Sequence, residues 1–223
     1  IKPIIGCEIY VAVGSRYEKK TRSDGGWGNN HLILLAQNFT GYKNLMKLVT
    51  SGYLEGFYYR PRIDMDLLRE YSEGLICMSA CLKGVVPEKM LKGDYEGARK
   101  EALLFSEIFQ DRYYLEIQNH GIPAEEQNLK HMKKLSQDLT LPLVCTNDAH
   151  YAKKEHWEAH DIHICLGTGK ERSDPNRLRY ATPEFYFKTQ DEMHKLFKEF
   201  PGAIENTRKI ADSIDITLPI GES

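Results

Sequence analysis

The amino-acid sequence predicts an α/β fold in which short strands alternate with helices. Apolar runs rich in β-branched and aromatic residues recur along the chain, and longer segments with helical spacing of apolar residues lie between them. This alternation is typical of a mostly parallel sheet covered by helices, either open and doubly wound or closed into a barrel. The sequence has no glycine-rich phosphate loop of the GxGxxG or GxxxxGK type, which argues against the Rossmann and P-loop forms of such a fold.

Turn-forming residues and apolar periodicity give the predicted elements in order. The polar, glycine-rich stretch 14–30 follows the first apolar run as a loop. On the first predicted helix Leu45, Leu48 and Val49 share a face. The predicted strands are 4–13, 31–36, 74–78, 113–118, 141–146 and 185–188. The predicted helices are 42–54, 65–70, 95–109, 124–139, 154–166, 190–197 and 202–214.

Composition and charge limit the class of protein. With 41% hydrophobic residues among 223, the chain can bury a sizeable core. Lys and Arg number 30 against 32 Asp and Glu, a net charge of -2, so any nucleic-acid contact must come from a local patch. The five cysteines lack CxxC spacing, and neither a signal peptide nor a membrane-spanning stretch is evident. We therefore expect a reduced, cytoplasmic protein with no membrane partner.

Side chains that can bind a metal lie at or just beyond the ends of several predicted strands, where α/β folds place their chemistry. Imidazole and thiolate groups favour zinc, and carboxylates with imidazole also suit manganese or iron. A mixed set of this kind is typical of clusters that activate a water and clamp a phosphate ester. The candidates are Glu8, Cys81, His120, Asp148 and His150, with His31 at the start of its strand.

Spacing alone leaves simpler interpretations open for each of these residues. Glu8 could be a surface carboxylate and Cys81 a small buried side chain. The strongest local signal is Asp148 with His150 in CTNDAHY, because alternate residues of an extended chain point to the same side. It predicts either a metal-binding pair or a polar turn.

A second histidine cluster lies on the predicted helix 154–166. His156, His160 and His163 fall at positions i, i+4 and i+7 and would share one helix face. The segment HWEAH resembles the HExxH motif of zinc proteases, but its Glu158 stands two residues after the first histidine instead of one. We therefore favour a polar helix face over a second metal site.

Longer motifs resemble a known family. The segments IKPIIGCEIYV, HLILLAQNFTGYKNLMKLVTSGYLEGFYYRPRID, SACLKG, YYLEIQNHG, TNDAHY and DPNRLRY closely resemble the polymerase-and-histidinol-phosphatase (PHP) domain of the bacterial C-family replicative polymerases, the DNA polymerase III alpha subunits. The resemblance implies a distorted, TIM-like (βα)7 barrel with a metal cluster at its carboxyl rim. It places the family's ligands for zinc or manganese on Glu8, His31, Cys81, His120, Asp148 and His150. Members with a complete set can carry a metal-dependent 3′ to 5′ exonuclease.

The chain departs from the family pattern at its start. Family members carry an HxH strand and a second histidine-containing segment before the stretch that matches IKPIIGCE, and this sequence contains neither. We expect a fragment that lacks the first strands, with residues 1–200 forming the PHP domain and 201–223 a helical connection toward an absent palm domain. We expect weak or no nuclease activity from it. Polymerase activity would reside in the palm, where aspartates hold two magnesium ions.

The segment GFYYRPR is a candidate for binding single-stranded DNA. It interleaves Tyr58 and Tyr59 with Arg60 and Arg62, and aromatic and guanidinium groups together stack bases and hold phosphates. The simpler interpretation is an aromatic core segment with solvated arginines. Further basic candidates are Lys19, Lys20, Arg22, Arg177 and Arg179.

The resemblance implies part of a DNA-directed DNA polymerase, a nucleotidyltransferase of chromosome replication. Its expected partners are primer-template DNA, single-stranded DNA, a proofreading exonuclease and a sliding clamp. One alternative is a scaffold without catalysis that docks the exonuclease or the clamp. The other is a free-standing phosphatase of the same superfamily, against which FYYRPRID and DPNRLRY count.

Overall fold

A computed structural model describes residues 2–20, 29–219 and 221 of the chain. Within these residues one six-stranded sheet carries helices, which confirms the predicted mixed α/β class. The strands are β1 (Gly6–Ala12), β2 (Asn29–Ala36), β3 (Arg62–Ile63), β4 (Leu75–Met78), β5 (Tyr113–Ile117) and β6 (Leu143–Cys145). The helices are α1 (Phe39–Leu54), α2 (Met65–Glu70), α3 (Val85–Leu91), α4 (Tyr95–Phe109), α5 (Pro123–Leu139), α6 (Trp157–Thr168), α7 (Gln190–Leu196) and α8 (Pro201–Ser213).

The sheet mixes parallel and antiparallel pairing in the order β3-β1-β2-β4-β5-β6. The pairs β1 with β3, β4 with β5 and β5 with β6 are parallel, as alternation with helices predicts. Strand β2 runs antiparallel to both of its neighbours. Antiparallel neighbours such as β1 and β2 can be joined by a short connection, whereas parallel neighbours need a crossover of a dozen or more residues.

Three local features of the structure differ from what the sequence predicts. Residues 185–188 form no strand; Tyr186 makes only an isolated bridge with Tyr151. The short strand β3 was not predicted because it follows Pro61 and has only two residues. Helix α3 was also missed, because Pro87 suggests a break. A proline is tolerated in the first turn of a helix, where the N–H has no intrahelical partner.

Side-chain caps fix where two of the correctly predicted helices begin. The Asp64 carboxylate accepts a hydrogen bond from the Leu67 N–H at 3.1 Å and starts α2. Asp94 does the same for α4 through the Gly97 N–H at 2.9 Å. Such caps satisfy N–H groups that a helix start leaves free. Both helices therefore have the bounds that the sequence predicts, 65–70 and 95–109.

The two faces of the sheet have different environments. One face packs against α1, α4 and α5 and forms the main core, with Leu34, Leu115 and Phe109 fully buried. The opposite face carries a smaller apolar cluster that includes Ile210 and Ile214 from the end of the chain. Helix α8 therefore packs onto the sheet, and its Asn206 side chain donates to the Leu143 carbonyl at 2.7 Å. Among the described residues no helix has the length and apolar character needed to cross a bilayer.

Candidate metal centre

Strand direction explains how residues from different parts of the chain reach one rim, the edge of the sheet at the carboxyl ends of β4, β5 and β6. Glu8 lies within β1, but it is level with Ile33 of β2, which in turn is level with Met78, the last residue of β4. His31 lies near the start of β2, not at its carboxyl end. Because β2 is antiparallel to β4, the start of β2 lies at the carboxyl end of β4, and both residues reach the rim.

Glu8, His31 and Cys81 meet at this rim. The His31 Nδ1 lies 3.2 Å from the Glu8 Oε1 and 3.5 Å from the Cys81 Sγ. Burial lowers the pKa of His31, partly opposed by the Glu8 charge, and so favours the neutral imidazole that binds metals. Burial raises the pKa of Cys81 to about 11, so the thiol stays protonated until a cation favours the thiolate.

Asp148 and His150 lie in the turn after β6, and their side chains interact, which is compatible with both interpretations of the CTNDAHY segment. The Asp148 Oδ1 lies 3.3 Å from the His150 Nε2. This hydrogen bond lowers the pKa of Asp148 against the effect of burial, and the charges of His120 and His31 add to it. Asp148 is therefore an ionised carboxylate that faces the same rim as His31.

A cavity of about 230 Å³, here called the rim cavity, lies between these groups. Its walls include Glu8 from β1, Cys81 after β4, Glu116 from β5 and Asp148 after β6. Ile33, Met78, Gln118 and Thr146 complete the lining. Carboxylates and a sulfur ligand thus converge from four strands or their ends on one space.

Glu116 is a site residue that sequence analysis missed. Its side chain is only 3% exposed; its Oε1 accepts hydrogen bonds from Thr146 Oγ1 at 2.5 Å and Gln118 Nε2 at 3.2 Å. Its Oε2 has no hydrogen-bond partner in the described part of the chain. Burial raises the pKa of Glu116 to about 7. A lone acidic residue inside the apolar run YYLEI was the available signal.

His120 does not share the arrangement of the other candidates. It is 1% exposed, and its ring stacks on Phe185 with centroids 4.0 Å apart. Its Nδ1 lies 2.7 Å from the Glu125 Oε1, and its Nε2 donates to the Asn147 carbonyl at 2.8 Å. Both ring nitrogens are therefore occupied by protein groups, and His120 has no free lone pair for a metal in this geometry.

The three histidines of the second predicted cluster do not all lie on α6. His156 precedes α6, which begins at Trp157, so the three histidines do not share one helix. His160 instead packs 5.8 Å from His150 and 5.2 Å from Tyr180, measured between ring centroids. The Tyr180 hydroxyl lies 3.1 Å from the His150 Nε2. His160 and Tyr180 thus pack against the His150 ring.

The donor set of the rim cavity fits a divalent cation in its chemistry. Across residues 2–20, 29–219 and 221 no group of three His, Cys, Asp or Glu side chains is arranged to hold an ion. His31 contacts Glu8 and Cys81, and Asp148 contacts His150. Nitrogen, oxygen and sulfur donors together with the unpartnered buried oxygen of Glu116 suit a divalent cation.

The four candidates for DNA contact differ in their exposure. Tyr59 is 57% exposed, and Arg60 is exposed with its guanidinium 5.9 Å from the Tyr10 ring centroid. Tyr58 is half-buried, and its ring lies edge-on to Tyr59 at 4.6 Å. Since Tyr10 also contacts His31, with ring centroids 5.1 Å apart, Arg60 adjoins the candidate metal ligands.

Arg62 was predicted to contact DNA, and its position in the structure does not support that prediction. Its side chain is 2% exposed, and its guanidinium donates to the carbonyls of Gly56 at 3.1 Å, Arg16 at 3.2 Å and Glu18 at 2.9 Å. Burial lowers the pKa of Arg62. The buried guanidinium has no surface to offer a phosphate, and it ties the loop after β1 to β3. Arg22, another basic candidate, lies outside the described residues.

Comparison with known proteins agrees with the features above. The family model described as "PHP domain" matches residues 1–120. The chain is 50% identical to "DNA polymerase III subunit alpha" of Borreliella burgdorferi over 98% of its own length and 19% of that protein. Identity to the proteins of the same name from Treponema pallidum and Thermus aquaticus is 44% and 41%, over 98% and 100% of this chain and 19% and 18% of theirs. The chain thus spans about a fifth of the length of these relatives, and it belongs to the PHP domain family.

Proposed function

We propose that the chain is the PHP-domain part of a bacterial replicative DNA polymerase and that its rim cavity is a metal-dependent phosphoesterase centre acting on the 3′ end of DNA. The similarity to polymerase III alpha subunits over the whole chain supports the first statement. One observation carries the second: Glu8, Cys81, Glu116 and Asp148 line a single cavity beside His31.

The residues of the rim cavity have distinct roles in this proposal. Glu8, His31 and Cys81 would hold a cation on one side, and Asp148 with His150 would hold it on the other. A bound divalent cation supplies an activated water and neutralises the charge on a phosphate ester. Glu116, with a pKa of about 7, can take up or release a proton near neutral pH at the wall of the cavity.

The proposal also covers the identity of the metal and the fold of the complete domain. The Cys81 thiol and the imidazoles favour zinc, whereas the three carboxylates also suit manganese. We propose that the sheet is part of the distorted (βα)7 barrel that the family resemblance implies, with the face that carries Glu8 and His31 toward its interior. Magnesium would act at the palm of the whole polymerase, and we place the protein in the cytoplasm.

DNA would reach the cavity past the GFYYRPR segment. Tyr59 and Arg60 are exposed there, and Arg60 adjoins Tyr10, which contacts His31. An aromatic ring beside a guanidinium can stack a base and neutralise its phosphate without sequence preference. Single-stranded DNA leaving a primer-template is the partner that this surface suits.

A second function, as a docking scaffold, is favoured by apolar side chains on the surface. Leu166 on α6 is 77% exposed, and Leu178 and Phe187 are also largely exposed. Exposed apolar groups of this size are typical of surfaces that contact other domains or subunits. A proofreading exonuclease, a sliding clamp or the remainder of the polymerase are candidate partners, and this role is compatible with catalysis at the rim cavity.

Removal of metal tests the catalytic proposal. The full-length natural protein is incubated with a 5′-labelled single-stranded oligonucleotide, without nucleotides, after dialysis against EDTA and after addition of Mn²⁺ or Zn²⁺. We expect shortening from the 3′ end only when metal is present, because the cavity residues alone supply no activated water. Equal shortening in EDTA, or none with either metal, would contradict the proposal.

A further inference from the structure

We propose that Glu125, His120 and Asn147, here called the positioning network, hold the turn of Asp148 and His150 in place at the rim cavity. The inference rests on the proposed metal centre and deepens it. It gives His120 a positioning role, in contrast to the ligand role that the family resemblance implies.

Glu125 fixes the His120 ring from two directions. Its Oε2 accepts a hydrogen bond from the His120 backbone N–H at 2.6 Å, and its Oε1 lies 2.7 Å from the His120 Nδ1. Both side chains are almost completely buried. Stacking on Phe185 fixes the plane of the ring, and the Thr182 hydroxyl donates to the His120 carbonyl at 2.6 Å. The ring therefore has one orientation, with its Nε2 directed at Asn147.

Asn147 is in turn held by three groups. Its carbonyl accepts from the His120 Nε2 at 2.8 Å, and its side-chain amide donates to the Tyr186 carbonyl at 2.8 Å. The Lys188 ammonium lies 3.4 Å from its Oδ1 and is itself buried. Asn147, which leads into Asp148, is thus held from two segments: its carbonyl by the His120 side chain and its own side chain by Tyr186 and Lys188.

The residue after Asn147 needs this support. Asp148 has a φ of 41°, a backbone conformation that residues other than glycine adopt at a cost. A strained conformation persists only where its surroundings over-determine it. On the other side of Asp148, the His150 N–H donates to the Phe185 carbonyl at 2.8 Å. Loss of the network would let the turn relax and move the Asp148 carboxylate relative to Glu8 and Cys81.

The geometry also argues against direct metal binding by His120. To offer its Nε2 to an ion, the ring would have to leave the Asn147 carbonyl, which would then lose that donor. Its Nδ1 is committed to Glu125, and ring rotation would break the stacking on Phe185.

Three variants of the full-length natural protein test the network by titration with Mn²⁺. Glu125→Leu and His120→Phe remove the hydrogen bonds, and we expect each to weaken Mn²⁺ binding about 10- to 100-fold while the number of bound ions stays that of the wild type. Glu125→Gln can still donate to Nδ1 and accept from the backbone N–H, so we expect binding close to wild type. Glu126→Leu, a change at the exposed neighbouring residue, is the control.

A second readout does not depend on metal. In the metal-free protein, the His150 amide should exchange its hydrogen faster in Glu125→Leu than in the wild type and Glu125→Gln, because the turn is less well held. One fewer bound ion in His120→Phe, or unchanged affinity and exchange in Glu125→Leu, would overturn the inference. If the wild type binds no Mn²⁺, the proposed function fails, and the exchange experiment still decides whether the network positions the turn.

Discussion

Replacing Asp148 by asparagine is expected to reduce metal-dependent hydrolysis of a DNA 3′ end by on the order of a thousandfold or more. The change removes one negative charge from the wall of the rim cavity and keeps the shape of the side chain. That charge contributes to the environments of His31 and Cys81, as their pKa shifts show. The measurement is the rate of shortening of a labelled oligonucleotide by the full-length natural protein at saturating Mn²⁺.

The matched control for this variant is Asp66→Asn. Asp66 is an aspartate on α2 whose side chain is 92% exposed, and its weak ion pair with Arg69 is at the surface. We expect this variant to retain the wild-type rate. If Asp148→Asn also retained it, the carboxylate would have no part in the chemistry, and the catalytic role of the rim cavity would have to be abandoned.

The second large effect concerns stability. Replacing Arg62 by leucine should lower the free energy of unfolding by about 3–5 kcal/mol, because the carbonyls of Gly56, Arg16 and Glu18 lose their buried donor. The neighbouring loop would lose its connection to β3. Denaturant unfolding of the variant and of the wild type, followed by circular dichroism, measures the difference.

Arg60→Leu is the control that separates stability from DNA binding. Arg60 is exposed, so we expect its replacement to change the free energy of unfolding by less than about 0.5 kcal/mol. It should weaken single-stranded DNA binding and reduce the slope of log affinity against log salt by about one. Equal destabilisation by the two leucine variants would contradict the distinction drawn between these neighbouring arginines.

Much of the fold could be predicted because it follows from local pattern. Apolar periodicity and turn residues correctly place most strands and helices, and the bounds of α2 and α4 are confirmed. These two helices begin at aspartate caps, which are visible in the sequence. The mixed α/β class follows from the alternation of elements and does not depend on any single boundary.

The direction of β2 could not be predicted from local pattern. The sequence of an apolar strand has the same pattern whether the neighbouring strand is parallel or antiparallel. Only the length and type of the connection between the strands distinguish the two arrangements. This direction matters for the site, since it brings His31, near the start of β2, beside Cys81 after β4. Spacing could propose both residues as ligands but could not show that they meet.

The hydrogen-bond partners of individual side chains could also not be predicted from the sequence. Arg62 was predicted as a DNA contact because its neighbours are aromatic. Its guanidinium instead donates hydrogen bonds to three backbone carbonyls. His120 was predicted as a ligand, and in the structure Glu125 and Asn147 contact its two ring nitrogens. Glu116 was overlooked, although it lines the rim cavity. In each case the outcome depends on which groups from distant segments lie within hydrogen-bond distance.

The central claim is that Glu8, His31, Cys81 and Asp148 surround one cation site, and a zinc-soaked crystal of the full-length natural protein measures this directly. In an anomalous map recorded at the zinc edge, the account predicts a peak in the rim cavity about 2.3 Å from the Cys81 sulfur and about 2.0–2.1 Å from the His31 nitrogen. Zinc peaks only at surface sites, with the rim cavity empty, would contradict it.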